Sequence, residues 1–200
     1  SRPEGLFRPA LDVPLPGGDF AATAPNALAA AALIRAGAAV EDAALVERGL
    51  RAATVLRGER VRPGRLVTRT TEAGDAAEGG FLEDQAATAD LFLAAYEASG
   101  ARDWLDGARN IATTAVANLR GRDTTALADV LVQADAPPPL RRPLFPIAAN
   151  MELARVLVRL HYLTGEAIYA RTALSIIQAF GKSYARVPLL MSSFPLAAYE

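Results

Sequence analysis

The feature that most limits what this 200-residue chain can fold into is a helical hairpin that occurs three times. Apolar residues at three- and four-residue spacing predict a first set of helices over 26–40, 82–99 and 147–164. After each comes a short turn and a second predicted helix, over 42–57, 103–119 and 166–181. A hairpin that repeats along a chain predicts helix pairs that stack side by side and share one core.

The turns of the three hairpins align on Glu41, Gly100 and Gly165, which are 59 and 65 residues apart. Glycine at this place predicts a left-handed residue that ends the first helix. Asp42 and Asp103 follow the turns, and we expect each to cap the second helix of its hairpin. The period is longer than the roughly 34 residues of a tetratricopeptide repeat. It favours hairpins joined by long loops, so the predicted fold is all-α, an arc of an α/α toroid.

Two long connections separate the predicted hairpins. Residues 58–80 contain the segment RLVTRTT, at 65–71, which predicts a short strand among several glycines. Residues 120–146 include APPPLRRPLFP, which is too rich in proline to form a helix. Loops of this length inside a compact domain are typical of functional segments.

The hairpins are expected to occupy most of one domain. Residues 1–22 are predicted to be an extension or linker, residues 23–200 a toroid segment, and residues 189–200 the start of a further helix. A ring of six hairpins needs twice the predicted number of helices. We therefore expect an exposed apolar edge, unless a second copy of the chain, another protein or further sequence covers it.

The composition argues against several classes of function. The net charge is −1 and the basic residues are scattered, so no electrostatic surface for nucleic acid is expected. There is no cysteine and a single histidine, which excludes disulfides and thiolate chemistry and argues against a zinc site. No apolar run approaches the roughly 20 residues that span a bilayer. We expect a cytoplasmic protein without a cofactor, a metal, or a nucleic-acid or membrane partner.

Three segments of the chain carry a family resemblance. They are PNALAAAALIRAGAAVEDAALVERGLRAATVL, GGFLEDQAATADLFLAAYEASGARDWLDGARNIA and NMELARVLVRLHYLTGEAIYARTALSIIQAF. These segments are similar to consecutive hairpins of the spermatogenesis-associated protein 20 family of thioredoxin-domain-containing proteins. The resemblance covers nearly the whole chain from about residue 20.

The resemblance implies a six-hairpin, glycosidase-like (α/α)6 toroid. In the family this toroid follows a thioredoxin-like domain, and the chain corresponds to a later part of the toroid without that domain. The family's Trp-Asn motif is Pro25–Asn26 in this sequence, and its Asp-Asp-Tyr motif is Glu83–Asp84–Gln85. Its Pro-x-Gly-Asn-Ser motif is represented by PIAANM.

An amide side chain lies fifteen positions before each aligned turn, at Asn26, Gln85 and Asn150. In an α/α toroid the first helices form the inner ring, so we expect these amides to gather at one end of the central cavity. Amides donate and accept hydrogen bonds, and helix N-termini add a positive dipole. Together they predict binding of a hydroxyl-rich, carbohydrate-like ligand or of an anionic one. The alternative is that Asn26 and Asn150 only cap their helices.

Glu83 and Asp84, which precede Gln85, are the candidate catalytic residues, as a general acid or base in a sugar pocket. Glycoside hydrolysis ordinarily uses carboxylates roughly 5–9.5 Å apart on opposite sides of the bond, whereas adjacent residues point in different directions. The alternative is that they stabilise the helix dipole, by about 0.3–1 kcal/mol each. Arg142 is a candidate ligand-binding residue at the pocket rim, with a solvated loop charge as the alternative. The sole histidine, His161, lies in an apolar stripe and is interpreted as a core or rim residue.

Three functional classes follow from these observations. The first is a non-catalytic or weakly active toroid that binds a carbohydrate-like ligand. The second is a helical-repeat scaffold that presents a surface to another protein. The third is a sugar hydrolase or epimerase that further sequence completes. The link from toroid to sugar is an argument from the fold alone.

Overall fold

A computed structural model describes residues 5–6, 21–70, 80–131, 142–184 and 197. The described segments contain six named α-helices and no strand, which confirms the all-α prediction. The helices are α1 (Thr23–Ala39), α2 (Ala43–Arg60), α3 (Leu82–Ser99), α4 (Arg102–Leu119), α5 (Ile147–Thr164) and α6 (Ala167–Tyr184). The bounds of α3 and α5 are those that the apolar spacing predicts. None of these helices is both long and apolar enough to cross a membrane.

The helices form two layers. The first helices of the hairpins, α1, α3 and α5, pack side by side as an inner row, and each of α2, α4 and α6 packs on the inner helix that precedes it. The N-termini of the inner helices lie at the same end. At this end the backbone N–H of Ala24 donates to Asp84. The N–H of Leu82 donates to the carbonyl of Asp129, and the N–H of Asp129 donates to the carbonyl of Leu144, which lies just before α5.

The hairpin turns repeat in geometry as well as in position. Gly100 and Gly165 are left-handed, with φ of 69° and 75°, which confirms their predicted role. Glu41, the equivalent residue of the first hairpin, also has a positive φ of 57° although it carries a side chain. Asp42 caps α2 as predicted, because its Oδ1 accepts from two backbone N–H groups at 2.9 and 3.2 Å.

Asp103 does not cap α4, and this prediction is wrong. The helix begins one residue earlier, at Arg102, so Ala101 takes the N-cap position and Asp103 lies inside the first turn. Its Oδ2 instead lies 3.6 Å from Nη2 of Arg57 on α2.

The predicted strand is also absent, since residues 65–70 form an irregular loop. Among the described residues, the backbone of Val67 does not pair with another strand. Its N–H and C=O pair instead with the side-chain amide of Gln85, at 2.8 and 2.9 Å. A glutamine side chain thus takes the place that a second strand would occupy. Thr71, the last residue of the predicted strand, lies outside the described residues.

The core combines many small residues with large apolar ones. Ala24, Ala27 and Ala31 of α1 are buried, and α3 is buried from Asp84 to Ala95. In the third hairpin, by contrast, four large apolar side chains remain exposed, namely Tyr162, Leu163, Ile168 and Leu174. What covers this surface stays a prediction.

The ends of the chain lie largely outside the described residues. Of the predicted extension over 1–22, only residues 5–6 and 21–22 are described. Of the further helix expected over 189–200, only Ala197 is described, and it is helical and buried.

Candidate functional site

A cavity of about 440 Å³ lies at the N-terminal end of the inner helices. Leu28 of α1 and Phe81, just before α3, contribute apolar walls, together with alanines from the first turns of α3 and α5. Three carboxylates, those of Glu83, Asp129 and Glu152, also line it. The combination of an apolar surface with a few polar groups is typical of small-molecule sites. We call this cavity the entrance pocket.

The adjacent acids Glu83 and Asp84 lie in different surroundings. Glu83 lines the entrance pocket with 60% of its side chain exposed, and its Oε2 lies 3.0 Å from Nη2 of Arg69. Asp84 has no exposed surface and does not line the pocket. Its Oδ2 accepts from Nε of Arg69 at 3.0 Å, and its Oδ1 accepts from the backbone N–H of Ala24 at 3.0 Å. Asp84 therefore caps α1, a different helix from its own.

Burial raises the pKa of Asp84 above its ordinary value, although the charge and hydrogen bond of Arg69 and the N–H of Ala24 act in the opposite direction. The carboxylate is thus held in the interior at a cost, and its two oxygens are used by the protein itself. This geometry suits a group that fixes other residues in place.

Gln85 and Asn150 occupy equivalent places and make equivalent hydrogen bonds. Both side chains are fully buried. The oxygen of each accepts from a loop N–H, that of Val67 for Gln85 and that of Leu127 for Asn150, at 2.8 Å in both cases. The nitrogen of each donates to the carbonyl of the same loop residue at 2.9 Å, and also to the carbonyl four residues earlier. Each amide therefore fastens the preceding loop to the start of an inner helix.

Asn26, the third amide, is also buried, and its Nδ2 donates to the carbonyl of Ala22 at 2.8 Å. The interpretation of Asn26 and Asn150 as N-caps is wrong, because the N-cap residues of α1 and α5 are Ala22 and Pro146. The amides lie four residues further on, at the end of the first turn. None of the three lines the entrance pocket, although all belong to its end of the inner row.

The loops repeat a second contact that the sequence analysis did not identify. Two residues after Val67, the carbonyl of Arg69 accepts from the first N–H of α1 at 3.0 Å. Two residues after Leu127, the carbonyl of Asp129 accepts from the first N–H of α3 at 2.8 Å. Each loop therefore joins two successive inner helices. The only sequence signal is a buried apolar residue followed two positions later by a charged one.

Glu152 is the pocket residue that the sequence analysis missed. It lies on α5, and its pKa is raised above the ordinary value by burial and then by the charge of Asp90, against the opposing charges of nearby arginines. A perturbed carboxyl in a cleft is typical of functional sites. The available signal was an acid inside the apolar run IAANMELARVL.

A second cavity, of about 370 Å³, adjoins the entrance pocket and shares Glu152 with it. Its central group is Asp90, which accepts two hydrogen bonds from Arg35, at 2.6 and 2.8 Å, and one from Arg159 at 2.5 Å. Arg159 also donates to Glu97 at 2.6 Å. This network joins α1, α3 and α5.

The remaining candidates lie away from the pocket. Arg142 is exposed and does not line either cavity. His161 lies near the C-terminal end of α5, and its Nδ1 is 3.2 Å from the carbonyl of Glu166. Among the described residues, no three potential metal ligands come together.

No family model and no curated protein matches the sequence. Solved structures do match the fold. An α-mannanase of glycoside hydrolase family 76 from Bacteroides thetaiotaomicron has a TM-score of 0.69 at 17% identity, covering 84% of this chain and 45% of its own. An unsaturated glucuronyl hydrolase specific for heparin has a TM-score of 0.71 at 14% identity, covering 88% and 50%.

An inactive variant of a family 76 α-1,6-mannanase from a Salegentibacter species, in complex with α-1,6-mannotriose, has a TM-score of 0.66 at 14% identity. The match covers 79% of this chain and 46% of the mannanase. The chain thus spans about half the length of these neighbours. At this identity the likeness concerns the fold alone, and the described hairpins have the fold of part of a six-hairpin glycosidase-like α/α toroid.

Proposed function

We propose that this chain is a carbohydrate-binding part of a glycosidase-like toroid, and that the entrance pocket holds the sugar. One observation carries the proposal: carboxylates and an apolar wall meet in a cavity of about 440 Å³ at the N-terminal end of the inner helices. Sugar rings present both hydroxyl groups and apolar C–H faces. Carboxylate oxygens accept from hydroxyl groups, and Phe81 with the neighbouring alanines provides surface for the ring faces.

Glu83 and Glu152 are the carboxylates that we assign to the ligand. They come from different inner helices and both line the pocket, whereas Asp84 is buried behind it. The raised pKa of Glu152 means that the protein holds this carboxyl where its charged form is disfavoured. A group that lowers stability in a cleft is typical of a residue kept for function. We assign Gln85 and Asn150 to supporting the pocket through its loops, and Asn26 to fixing the start of α1.

Hydrolysis of a glycosidic bond is the second candidate function. The Salegentibacter mannanase is described as inactive when two consecutive aspartates are changed, and Glu83–Asp84 is a pair of consecutive acids at the start of an inner helix. In this chain Glu152, with its raised pKa, suits the group that protonates the leaving oxygen. Glu83 suits the carboxylate on the other side of the bond, and Asp84 its support.

We also propose membership of the spermatogenesis-associated protein 20 family. The support is the order of the three hairpins and their similar turns at Gly100 and Gly165. The family pairs its toroid with a thioredoxin-like domain. We expect the full-length protein to contain this domain, followed by further hairpins of the toroid. A full-length protein that lacks both the thioredoxin-like domain and the further hairpins would contradict the assignment.

Thermal unfolding with a panel of sugars tests ligand binding. The panel contains α-1,6-mannotriose and a heparin-derived disaccharide with an unsaturated uronic acid. At a concentration of one hundred times Kd, a ligand raises the unfolding free energy by about 2.7 kcal/mol, which corresponds to several degrees in Tm. Glu83→Gln and Glu152→Gln should reduce this shift. Glu47→Gln, on the exposed face of α2, is the matched control and should retain it.

No shift with any sugar contradicts carbohydrate binding. For the second candidate, release of mannose from α-1,6-mannotriose is measured by chromatography. Hydrolysis by this site predicts that both Glu83→Gln and Glu152→Gln abolish turnover while Glu47→Gln retains it. Turnover that survives in either pocket variant contradicts the assignment of that residue.

A further inference from the structure

We propose that Arg69, which does not line the entrance pocket, positions Glu83, which does. The inference rests on the proposed function of that pocket. The Arg69 guanidinium makes three contacts. Nη2 lies 3.0 Å from Oε2 of Glu83, Nε lies 3.0 Å from Oδ2 of Asp84, and Cζ lies 3.9 Å from the centre of the Phe81 ring. Arg69 thus contacts both a carboxylate and an aromatic ring that line the pocket, without lining the pocket itself.

Asp84 is the fixed point of this arrangement. It is fully buried, and its second oxygen accepts from the N–H of Ala24 on α1. Because the guanidinium is planar and rigid, holding Nε against Asp84 also sets the direction in which Nη2 points. That direction leads to Glu83. The buried acid therefore acts on the pocket through Arg69 and does not need to reach the ligand.

The backbone of Arg69 is held as firmly as its side chain. Its carbonyl accepts from both the backbone N–H and the hydroxyl of Thr23, each at 3.0 Å. Two residues earlier, Val67 is fastened to Gln85 through both of its backbone polar groups. The loop at residues 65–70 consequently supports one wall of the pocket.

A positioning role makes a specific prediction for Glu83. Its side chain is 60% exposed, so without a partner it would sample several rotamers. Contact with Arg69 restricts it to the one that faces the guanidinium. Losing that restriction should weaken any ligand that uses Glu83, because the ordering must then occur on binding.

The test compares Arg69→Lys and Arg69→Met with Arg51→Met, an exposed arginine on α2 that also pairs with a glutamate. Lysine keeps the charge but cannot hold both acids in a fixed fork. Calorimetric titration with α-1,6-mannotriose should show about tenfold weaker binding for Arg69→Lys, as expected for loss of a charge-assisted hydrogen bond. Arg51→Met should bind like the wild type. Unchanged affinity in a folded Arg69→Lys variant overturns the proposal.

A double-variant measurement separates positioning from general structural damage. If Arg69 acts through Glu83, Arg69→Lys should weaken binding by less than about twofold when Glu83→Gln is already present. A full tenfold loss in that background shows that Arg69 does not act through Glu83. It therefore overturns the proposal even though the affinity falls.

A measurement without ligand distinguishes this proposal from the proposed function. Nuclear magnetic relaxation of the Glu83 side chain should show an ordered methylene group in the wild type and in Arg51→Met, and a mobile one in Arg69→Met. If no sugar binds but this pattern is found, the proposed function fails and the positioning by Arg69 stands. If Glu83 is equally mobile in all three proteins, the positioning fails whatever the ligand.

Discussion

Replacing Gln85 by methionine removes hydrogen bonds at a buried position while keeping the length of the side chain. Gln85 and Val67 are both fully buried, so water cannot reach the groups that lose their partner. The Val67 N–H and C=O each lose the partner that Gln85 provides at 2.8 and 2.9 Å. The carbonyl of Phe81 does not become unpaired, because it also accepts from the backbone N–H groups of Asp84 and Gln85.

The expected loss follows from those two groups. An unpaired buried donor or acceptor costs about 1–3 kcal/mol, so the pair predicts a loss of about 2–6 kcal/mol in the free energy of unfolding. This is a large part of the roughly 5–15 kcal/mol that a domain has. For a chain of this size it corresponds to a fall in Tm of roughly 5–20 °C.

Urea unfolding followed by circular dichroism measures the change. Gln178→Met, on the exposed face of α6, is the matched control and should lie within about 0.5 kcal/mol of the wild type. Asn150→Leu should be destabilising to a similar degree, since Leu127 loses the same two partners. A Gln85→Met variant within about 1 kcal/mol of the wild type refutes the argument, because the loop contact would then contribute almost nothing.

Four further variants test other parts of the structure. Glu152→Gln should raise the free energy of unfolding at neutral pH. The pKa of the Glu152 carboxyl is higher in the folded protein than its ordinary value of 4.5, so the folded state binds this proton more readily than the unfolded state. The wild type therefore loses stability as the pH rises through the range above 4.5, and the variant does not. The gain should vanish below that range in a pH series of urea titrations, and a gain independent of pH argues against this cause. Asp84→Ala should lower the free energy of unfolding in urea by about 3 kcal/mol or more, because the Ala24 N–H and the Nε of Arg69 lose their acceptor. A loss below about 1 kcal/mol would contradict the role of Asp84 as the cap of α1. Gly107→Ala should lower Tm by several degrees, since the added Cβ would lie 2.7 Å from the Phe92 ring. Gly58→Ala, with open space around the added Cβ, should be neutral or stabilising. Similar Tm values for the two variants would contradict the close approach of Gly107 to Phe92.

The helices could be predicted because their information is local. Apolar spacing within one helix reports the face that is buried, and it gave the bounds of α3 and α5 to the residue. The left-handed turns at Gly100 and Gly165 were predictable for the same reason, since only the residue and its neighbours decide them. The two helices of a hairpin and the turn between them can therefore be predicted from the sequence.

The pocket was only partly predictable because its contacts join distant segments. The sequence predicted a site at the N-terminal end of the inner helices, with Glu83 as one of its residues. The entrance pocket lies at that end, and Glu83 lines it. Nothing local shows that Gln85 pairs with a residue 18 positions earlier, or that Asp84 caps a helix 60 positions away. The segment at 65–71 has the composition of a strand, yet its partner is a side chain. Glu152 was missed because its burial depends on how α5 packs.

Chemical-shift mapping with α-1,6-mannotriose tests the location of the binding site most directly. We expect the largest amide shifts upon titration on residues of the entrance pocket, such as Phe81, Glu83, Ala149 and Glu152, and no shifts on α6. Glu83→Gln should weaken the titration without moving it elsewhere. Saturable shifts centred on another surface, or none up to the highest soluble concentration of the sugar, would show that the entrance pocket does not bind this sugar.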